Sequence, residues 1–197
     1  MANYDQEIYD VAISEGFKPN VAKYIVAQAR LESGDYASNV FKNNFNMYGM
    51  KFVGQPLASR GTLAPISERS NSCVSSNICK DSDYYAKYKS PRDSALDTIQ
   101  RLYKRTRNGI GFNELNNSVD AQDFANKLKQ RDYYGGTPEQ YSSFILAKLK
   151  RISIVEKTIE QVRKAYGYTK KNYVVVGIGF ILVGIFGYWY YKNKYKR

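Results

Sequence analysis

The sequence predicts a mainly α chain of the α+β class. A helical domain carries a small irregular β-lobe, and a single transmembrane helix follows toward the C-terminal end. Three observations predict this. Apolar residues recur at helical spacing through most of residues 3–51 and 90–152, with Ser, Thr, Pro and Gly where helices start and stop. Residues 52–89 lose that period and collect Gly54, Pro56, Gly61 and Pro65 among Ser and Asn. Tyr173 to Tyr191 contains no charged residue.

The first helix is read over Asn3 to Glu15, with Tyr4, Ile8, Val11 and Ala12 on one face and Gly16 ending it. Pro19 opens the second at its favoured first position, and Val21, Ala22, Ile25, Val26 and Ala29 form its buried stripe. Gln28, Leu31 and Glu32 lie on adjoining faces, and Gly34 is the natural residue for a left-handed helix end. A carboxylate one turn from a helix C-terminus faces the negative end of the backbone dipole. Desolvation by apolar neighbours adds to that, so Glu32 is a candidate for a raised pKa and a general-acid role. A short helix and a compact loop follow. Asn44-Phe45-Asn46-Met47-Tyr48-Gly49-Met50-Lys51 gathers amides and aromatics in a composition suited to gripping a sugar.

In the lobe, Thr62 to Ile66 and Tyr84 to Tyr88 are the candidate strands. Ser90-Pro91-Arg92-Asp93 then starts a helix that runs through Ala95, Leu96, Ile99, Leu102 and Tyr103 to about Thr106. Val119 to Gln130 is the next, with Ala121, Phe124, Ala125 and Leu128 inward. Thr137-Pro138-Glu139-Gln140 reads as a capping box for a helix with Tyr141, Phe144, Ile145 and Ile152 on its apolar side. Helical pattern continues to about Tyr166 past a break near Ile152-Ser153. Residues 154–172 read as a charged helical stalk, 173–191 as the membrane span and 192–197 as a basic tail. The span would reach about 28 Å as a helix, against a hydrocarbon core of roughly 30 Å. Tyr173 at one end and Tyr188, Trp189, Tyr190 and Tyr191 at the other form interfacial belts, with Lys and Arg beyond both.

The composition narrows the chemistry. The chain has 197 residues and a formal charge of +12, and the six Lys/Arg from Lys170 onward supply half of it. That excess suits an anionic surface such as a cell envelope or lipid headgroups. No nucleic-acid motif accompanies it, so no nucleic-acid partner is expected. There is no His, which excludes imidazole metal sites and His-based nucleophile pairs. Acid–base work therefore falls to the 18 Asp and Glu and the 19 Tyr. Cys73 and Cys79 cannot close a zinc site without further ligands, which leaves a small disulfide or two free thiols. No metal or cofactor is expected, and no signal-peptide pattern opens the sequence.

Two motifs carry a resemblance. Gln28-Ala29-Arg30-Leu31-Glu32-Ser33-Gly34 with Ser38, then Asn43-Asn44 and Tyr48-Gly49-Met50-Lys51, resembles the signature of the glucosaminidase-type peptidoglycan hydrolases. These form glycoside hydrolase family 73, a branch of the lysozyme-like superfamily. Asp35-Tyr36 stands where the family has an aromatic residue followed by Gly, and Tyr48 stands for its Phe. Tyr133-Tyr134 before Pro138 resembles a further family motif, with Gly135-Gly136 in place of its small and hydroxylated residues. The resemblance implies a lysozyme-like domain over residues 1–153. Glu32 is then the general acid, Glu68 the second carboxylate (with Asp81 and Asp83 as alternatives), and Tyr134 a catalytic-cleft residue. Gln28, Asn44, Tyr48 and Tyr133 are the expected substrate-binding residues.

The implied activity is that of a peptidoglycan-degrading, endo-N-acetylglucosaminidase-like glycosidase. A lytic transglycosylase or muramidase of the same fold is the alternative, and a non-catalytic glycan-binding or structural membrane protein is the contrasting class. Expected partners are peptidoglycan strands, a lipid bilayer through residues 173–191, and other virion proteins. A wall hydrolase with a C-terminal anchor fits the virion of a membrane-containing bacteriophage acting at entry, with the host cell envelope as the other location.

Overall fold

Side chains that can satisfy free backbone N–H groups mark where the helices of this protein begin. The structure, a computed structural model, describes residues 3–156 and 159–165. Helix α1 (Tyr4–Ser14) is capped by Asn3, whose side chain accepts from the Gln6 N–H. Helix α2 (Pro19–Glu32) opens on Pro19, whose missing N–H would have had no helical partner. Ser38 caps the short α3 (Asn39–Asn44), accepting from the Phe41 N–H at 3.1 Å.

The β-lobe follows. Strands β1 (Ala58–Leu63) and β2 (Tyr84–Tyr88) pair antiparallel, Ala58 opposite Tyr88 and Leu63 opposite Tyr84, with an irregularity between Arg60 and Leu63. β2 lies where the alternation placed it. β1 begins earlier than the expected Thr62 to Ile66 and stops before Pro65, which has no N–H to give to a ladder. Between the strands sit single turns of 3₁₀-helix at Ile66–Glu68 and Asp81–Asp83 and the short helix α4 (Asn71–Ser76). The Cys73–Cys79 pair, left open between disulfide and thiols, is a disulfide.

Asp83 corrects an expectation. Its carboxylate accepts from the Ser70 N–H at 2.6 Å, the Ser70 hydroxyl at 2.8 Å and the Lys80 N–H at 2.7 Å. It is a loop staple, buried and fully engaged, and not a spare carboxylate facing a groove.

Ser90 caps α5 (Pro91–Thr98), whose last turns, Ile99–Tyr103, widen into a π-helix. The unanticipated α6 (Phe112–Asn116) precedes α7 (Ala121–Gln130), capped by Asp120, and α8 (Pro138–Leu149), capped by Thr137. Ile8, Val11, Ala12, Ile25, Val26, Ala29, Tyr103, Phe124, Leu128 and Ile145 form the core, so α1, α2 and α7 bury the stripes their spacing implied. On α8 Tyr141 and Ile145 are buried, but Phe144 is exposed and Ile152 lies past the helix end, so that stripe is narrower than expected. Beyond Lys150 the chain leaves the helix, because Ser153 and Val155 donate their N–H groups to Asp5 and Gln6 of α1. The helical pattern read through to Tyr166 is interrupted there for that reason.

Residues 1–158 form one body, and α9 (Ile159–Ala165) belongs to a second that starts at residue 159. Among the described residues no helix is long and apolar enough to cross a membrane. The expected span, Tyr173 to Tyr191, the basic tail and residues 157–158 and 166–172 of the stalk lie outside the described residues.

Candidate active site

Glu32 is the last residue of α2, and the chain turns away immediately after it. Ser33 is buried, donates its hydroxyl to the Ala29 carbonyl at 2.6 Å and accepts from the Tyr36 N–H at 2.9 Å. Gly34, Asp35 and Tyr36 then all take positive φ, 58°, 57° and 66°. This left-handed turn is sharp enough to leave the Glu32 side chain at the open end of its helix.

Tyrosines surround that carboxylate. The Tyr141 hydroxyl, from the first turn of α8, donates to Glu32 Oε1 at 3.1 Å. Tyr133 lies near enough to act electrostatically on Glu32 and faces the Gln28 amide, and the charge of Glu32 is felt at Tyr48 and Tyr103. Burial raises the proton affinity of all four phenols, so they remain hydrogen-bond donors at neutral pH. Glu32 is open to solvent. Protein nevertheless crowds it closely enough that desolvation raises its pKa, against the Tyr141 hydrogen bond and the nearby Tyr133 hydroxyl that pull it down. Such a carboxyl can hold a proton and still meet a ligand from solvent.

The other expected site residues divide into two groups. Gln28, Asn44 and Tyr48 lie behind the surface and not on it. Gln28 is fully buried and accepts from the Tyr103 hydroxyl, with Tyr133 also facing its amide. Tyr48 is 6% exposed, its hydroxyl 3.4 Å from the Ile25 carbonyl. Asn44 is fully buried and spends both ends of its amide on Thr62: Nδ2 donates to the hydroxyl at 2.8 Å, and Oδ1 accepts from the N–H at 3.1 Å. As placed, these three lie beneath the surface against protein groups, where the expectation had them in direct contact with sugar. A sequence motif cannot distinguish a side chain that touches a ligand from one that holds the wall in place.

Tyr133 and Tyr134 are partly exposed. The Tyr134 ring stacks on Tyr141 with centroids 4.0 Å apart and planes 6° off parallel, and its hydroxyl donates to the Ala125 carbonyl at 2.8 Å. Tyr134 thus backs the ring of Tyr141, and it is Tyr141 whose hydroxyl meets Glu32. Sequence reasoning had Tyr141 only on the apolar side of α8. Its position at the start of a capped helix, just after the Tyr133-Tyr134 pair, was the available signal.

Glu68 sits on the β-lobe, exposed, and accepts from Lys51 Nζ at 2.6 Å and the Tyr85 hydroxyl at 3.0 Å. The Lys51 hydrogen bond, reinforced by Tyr85 and by the lysine's charge, outweighs desolvation and holds its pKa below the ordinary Glu value. One carboxyl is thus inclined to keep its proton and another to lose it, a division that acid–base catalysis uses. Asp81, the remaining alternative, pairs with Arg60 on the exposed lobe surface. Among the described residues Cys73, Cys79 and Asp83 converge, but the sulfurs are joined to each other.

Two concavities flank these groups. One of about 210 Å³ is lined by Tyr134, Thr137, Gln140, Tyr141 and Phe144, and shares Tyr141 with the Glu32 cluster. The other, about 330 Å³, lies between α3 and the β-lobe and includes Asn39, Asn43, Thr62, Arg69 and Tyr85, the last bonded to Glu68.

The Glucosaminidase family model, described as mannosyl-glycoprotein endo-beta-N-acetylglucosaminidase, matches residues 8–174. No curated protein matches the chain in sequence. Among solved structures, the chain is similar to a peptidoglycan hydrolase from Sphingomonas sp. A1, with 16% identity and a TM-score of 0.52 over 85% of this chain and 93% of that one. It is also similar to the catalytic domain of the autolysin Auto from Listeria monocytogenes (19% identity, TM-score 0.45, 77% of this chain and 85% of that one). A third similar structure is a type VI secretion system effector–immunity complex from Pseudomonas protegens (14% identity, TM-score 0.45, 73% and 94%). At such identities the Sphingomonas protein speaks for the fold.

Proposed function

The chain belongs to the glucosaminidase family and is a glycoside hydrolase; on that premise we propose that it cuts the glycan backbone of peptidoglycan with Glu32 as general acid. The observation that carries the reading is the Glu32 carboxyl, water-accessible at the end of α2, its pKa raised by desolvation and its position set by the Tyr141 hydroxyl. Protonated, it delivers its proton to the glycosidic oxygen as the C–O bond breaks and positive charge develops on the sugar ring. The tyrosines, remaining protonated, then stabilise the carboxylate left behind. Glu68, held ionised by Lys51 and Tyr85, is the candidate for the second carboxylate, with the acetamido group of the substrate as the alternative partner.

An endo-N-acetylglucosaminidase outcome is favoured by the family match. A transglycosylase outcome needs only the one acid, and the engagement of Glu68 in its ion pair with Lys51 keeps that second reading in view. Incubating the full chain with purified sacculi separates the readings by mass spectrometry. Reducing GlcNAc ends mark a glucosaminidase, reducing MurNAc ends a muramidase and anhydro ends a transglycosylase. Glu32→Gln should abolish release of all three while leaving the melting temperature within a few degrees of the parent; retained release removes Glu32 from its role.

The uncharged stretch Tyr173 to Tyr191 with its aromatic and basic flanks supports anchorage in a bilayer. The Cys73–Cys79 disulfide supports a location outside a reducing cytoplasm. Together they support the membrane of a bacteriophage virion, where the enzyme would open the wall at entry. Immunodetection in purified particles tests this, and presence only in membranes of uninfected cells would overturn it.

A further inference from the structure

The turn after Glu32 departs from the pattern the chain otherwise resembles: Asp35-Tyr36 stands where an aromatic residue and Gly are usual. Both residues adopt left-handed backbone, φ 57° and 66°, which strains an L-residue and strains Tyr most. A strained turn persists when its surroundings over-determine it, and here they do. Asp35 Oδ2 accepts from Lys148 Nζ at 2.7 Å and from Arg151 at 2.7 Å, and its Oδ1 accepts from Arg30 at 3.3 Å. Arg30 grips Asp5 of α1 through two bonds of 2.8 Å, and Asp5 also accepts from the Tyr36 hydroxyl at 2.8 Å. Desolvation would raise the pKa of Asp35, but the Lys148 and Arg30 hydrogen bonds and the charges of Lys148 and Arg151 outweigh it and hold the group ionised.

Besides Arg30, the partners of Asp35 are Lys148 in the last turn of α8 and Arg151 just past its end. Tyr141 and Lys148 are both on that helix, seven residues or two turns apart, on one face and about 10 Å from each other along the axis. Helix α8 is therefore joined at two points, to the end of α2 by Glu32–Tyr141 at 3.1 Å and to the turn that follows by Asp35–Lys148 at 2.7 Å. A helix is stiff over two turns, so a bond at one point constrains the other.

We propose that Asp35 is a positioning residue for the reaction: by gripping Lys148 and Arg151 it locks α8 against the turn that follows the acid. In doing so it sets where α8 presents the Tyr141 hydroxyl to Glu32. The inference rests on Glu32 being the acid, and it predicts energetic coupling between two residues that do not touch.

The test is a double-mutant cycle on the full chain, with kcat and KM measured on glycan strands prepared from sacculi. Asp35→Asn keeps the size and one acceptor but loses the charge, and should lower kcat by about 10- to 100-fold, with KM little changed. In a Tyr141→Phe background the same substitution should lower kcat less than threefold, since the contact it positions is already gone. Equal loss in both backgrounds, or a loss confined to KM, overturns the proposal. If Asp35→Asn does not fold, Lys148→Gln breaks the clamp from the α8 side, and the same cycle with Tyr141→Phe decides by the same criterion. Glu32→Gln run in parallel separates the two levels. Turnover retained in that variant removes the acid itself, whereas its loss together with an additive cycle removes the positioning role alone.

Discussion

Asn44→Ala tests whether a motif amide near the site grips sugar or holds the wall. The fully buried side chain ties α3 to β1 through two hydrogen bonds to Thr62, 2.8 and 3.1 Å long. Each such bond contributes about 1 kcal/mol net, and a buried N–H left unpaired costs about 1–3 kcal/mol. Thr62 is itself exposed and can turn its hydroxyl to water, so the low end applies, about 2 kcal/mol for the variant. In a chain of this size that lowers the melting temperature by about 4–8 °C. Gly61→Ala attacks the same joint from the other side. A Cβ there would stand 2.4 Å from Asn44 Oδ1 and 2.8 Å from the Tyr85 carbonyl oxygen, and backbone cannot swing aside. The overpacking cost is about 1–3 kcal/mol. Thermal melting by circular dichroism, alongside KM on glycan strands, reads both effects. An Asn44→Ala variant that melts with the parent but binds glycan more weakly would refute the reasoning and return Asn44 to the binding surface.

Three further outcomes follow from the same contacts. Tyr141→Phe keeps the stack on Tyr134 but removes the donor to the Glu32 carboxylate. Since that bond favours the ionised form, its loss raises the pKa of Glu32. Activity that requires the protonated acid should then persist to higher pH, and a pH–rate profile whose alkaline limb moves down would contradict this. Breaking the Cys73–Cys79 link by Cys73→Ser with Cys79→Ser frees a short loop worth about 2 kcal/mol of chain entropy, and should lower the melting temperature with kcat near the parent value. Asp83 is held below its ordinary pKa, first by the Ser70 N–H hydrogen bond, so its contribution to stability is present at neutral pH and lost on acidification through the folded-state pKa. Asp83→Asn should melt lower at pH 6, with the gap to the parent closing below about pH 4, where the unfolded carboxyl also takes up its proton.

What could be read along the chain was what local chemistry imposes. The stripes of α1, α2 and α7 and the caps at Ser90 and Thr137 follow from 3.6-residue spacing and the free N–H groups of a first turn. The helix end at Glu32 was legible because Gly34 announces a left-handed turn. The short helices α4 and α6 were missed, since five or six residues are too few to show a period.

The company that Glu32 keeps was a different matter. Tyr141 meets it from 109 positions away, and Lys148 meets Asp35 from 113. Spacing along a helix says which residues share a face, but it does not say which faces will meet. Nor does a residue type say whether its side chain ends at the surface or beneath it, as Gln28 and Asn44 do. The sequence by itself determined the longer helices, the turn and the carboxylate at its corner. Only the packing of α8 onto α2 decided which hydroxyl reaches that carboxylate and which charges hold the turn beside it, because burial and long-range pairing exist only once the chain has closed on itself.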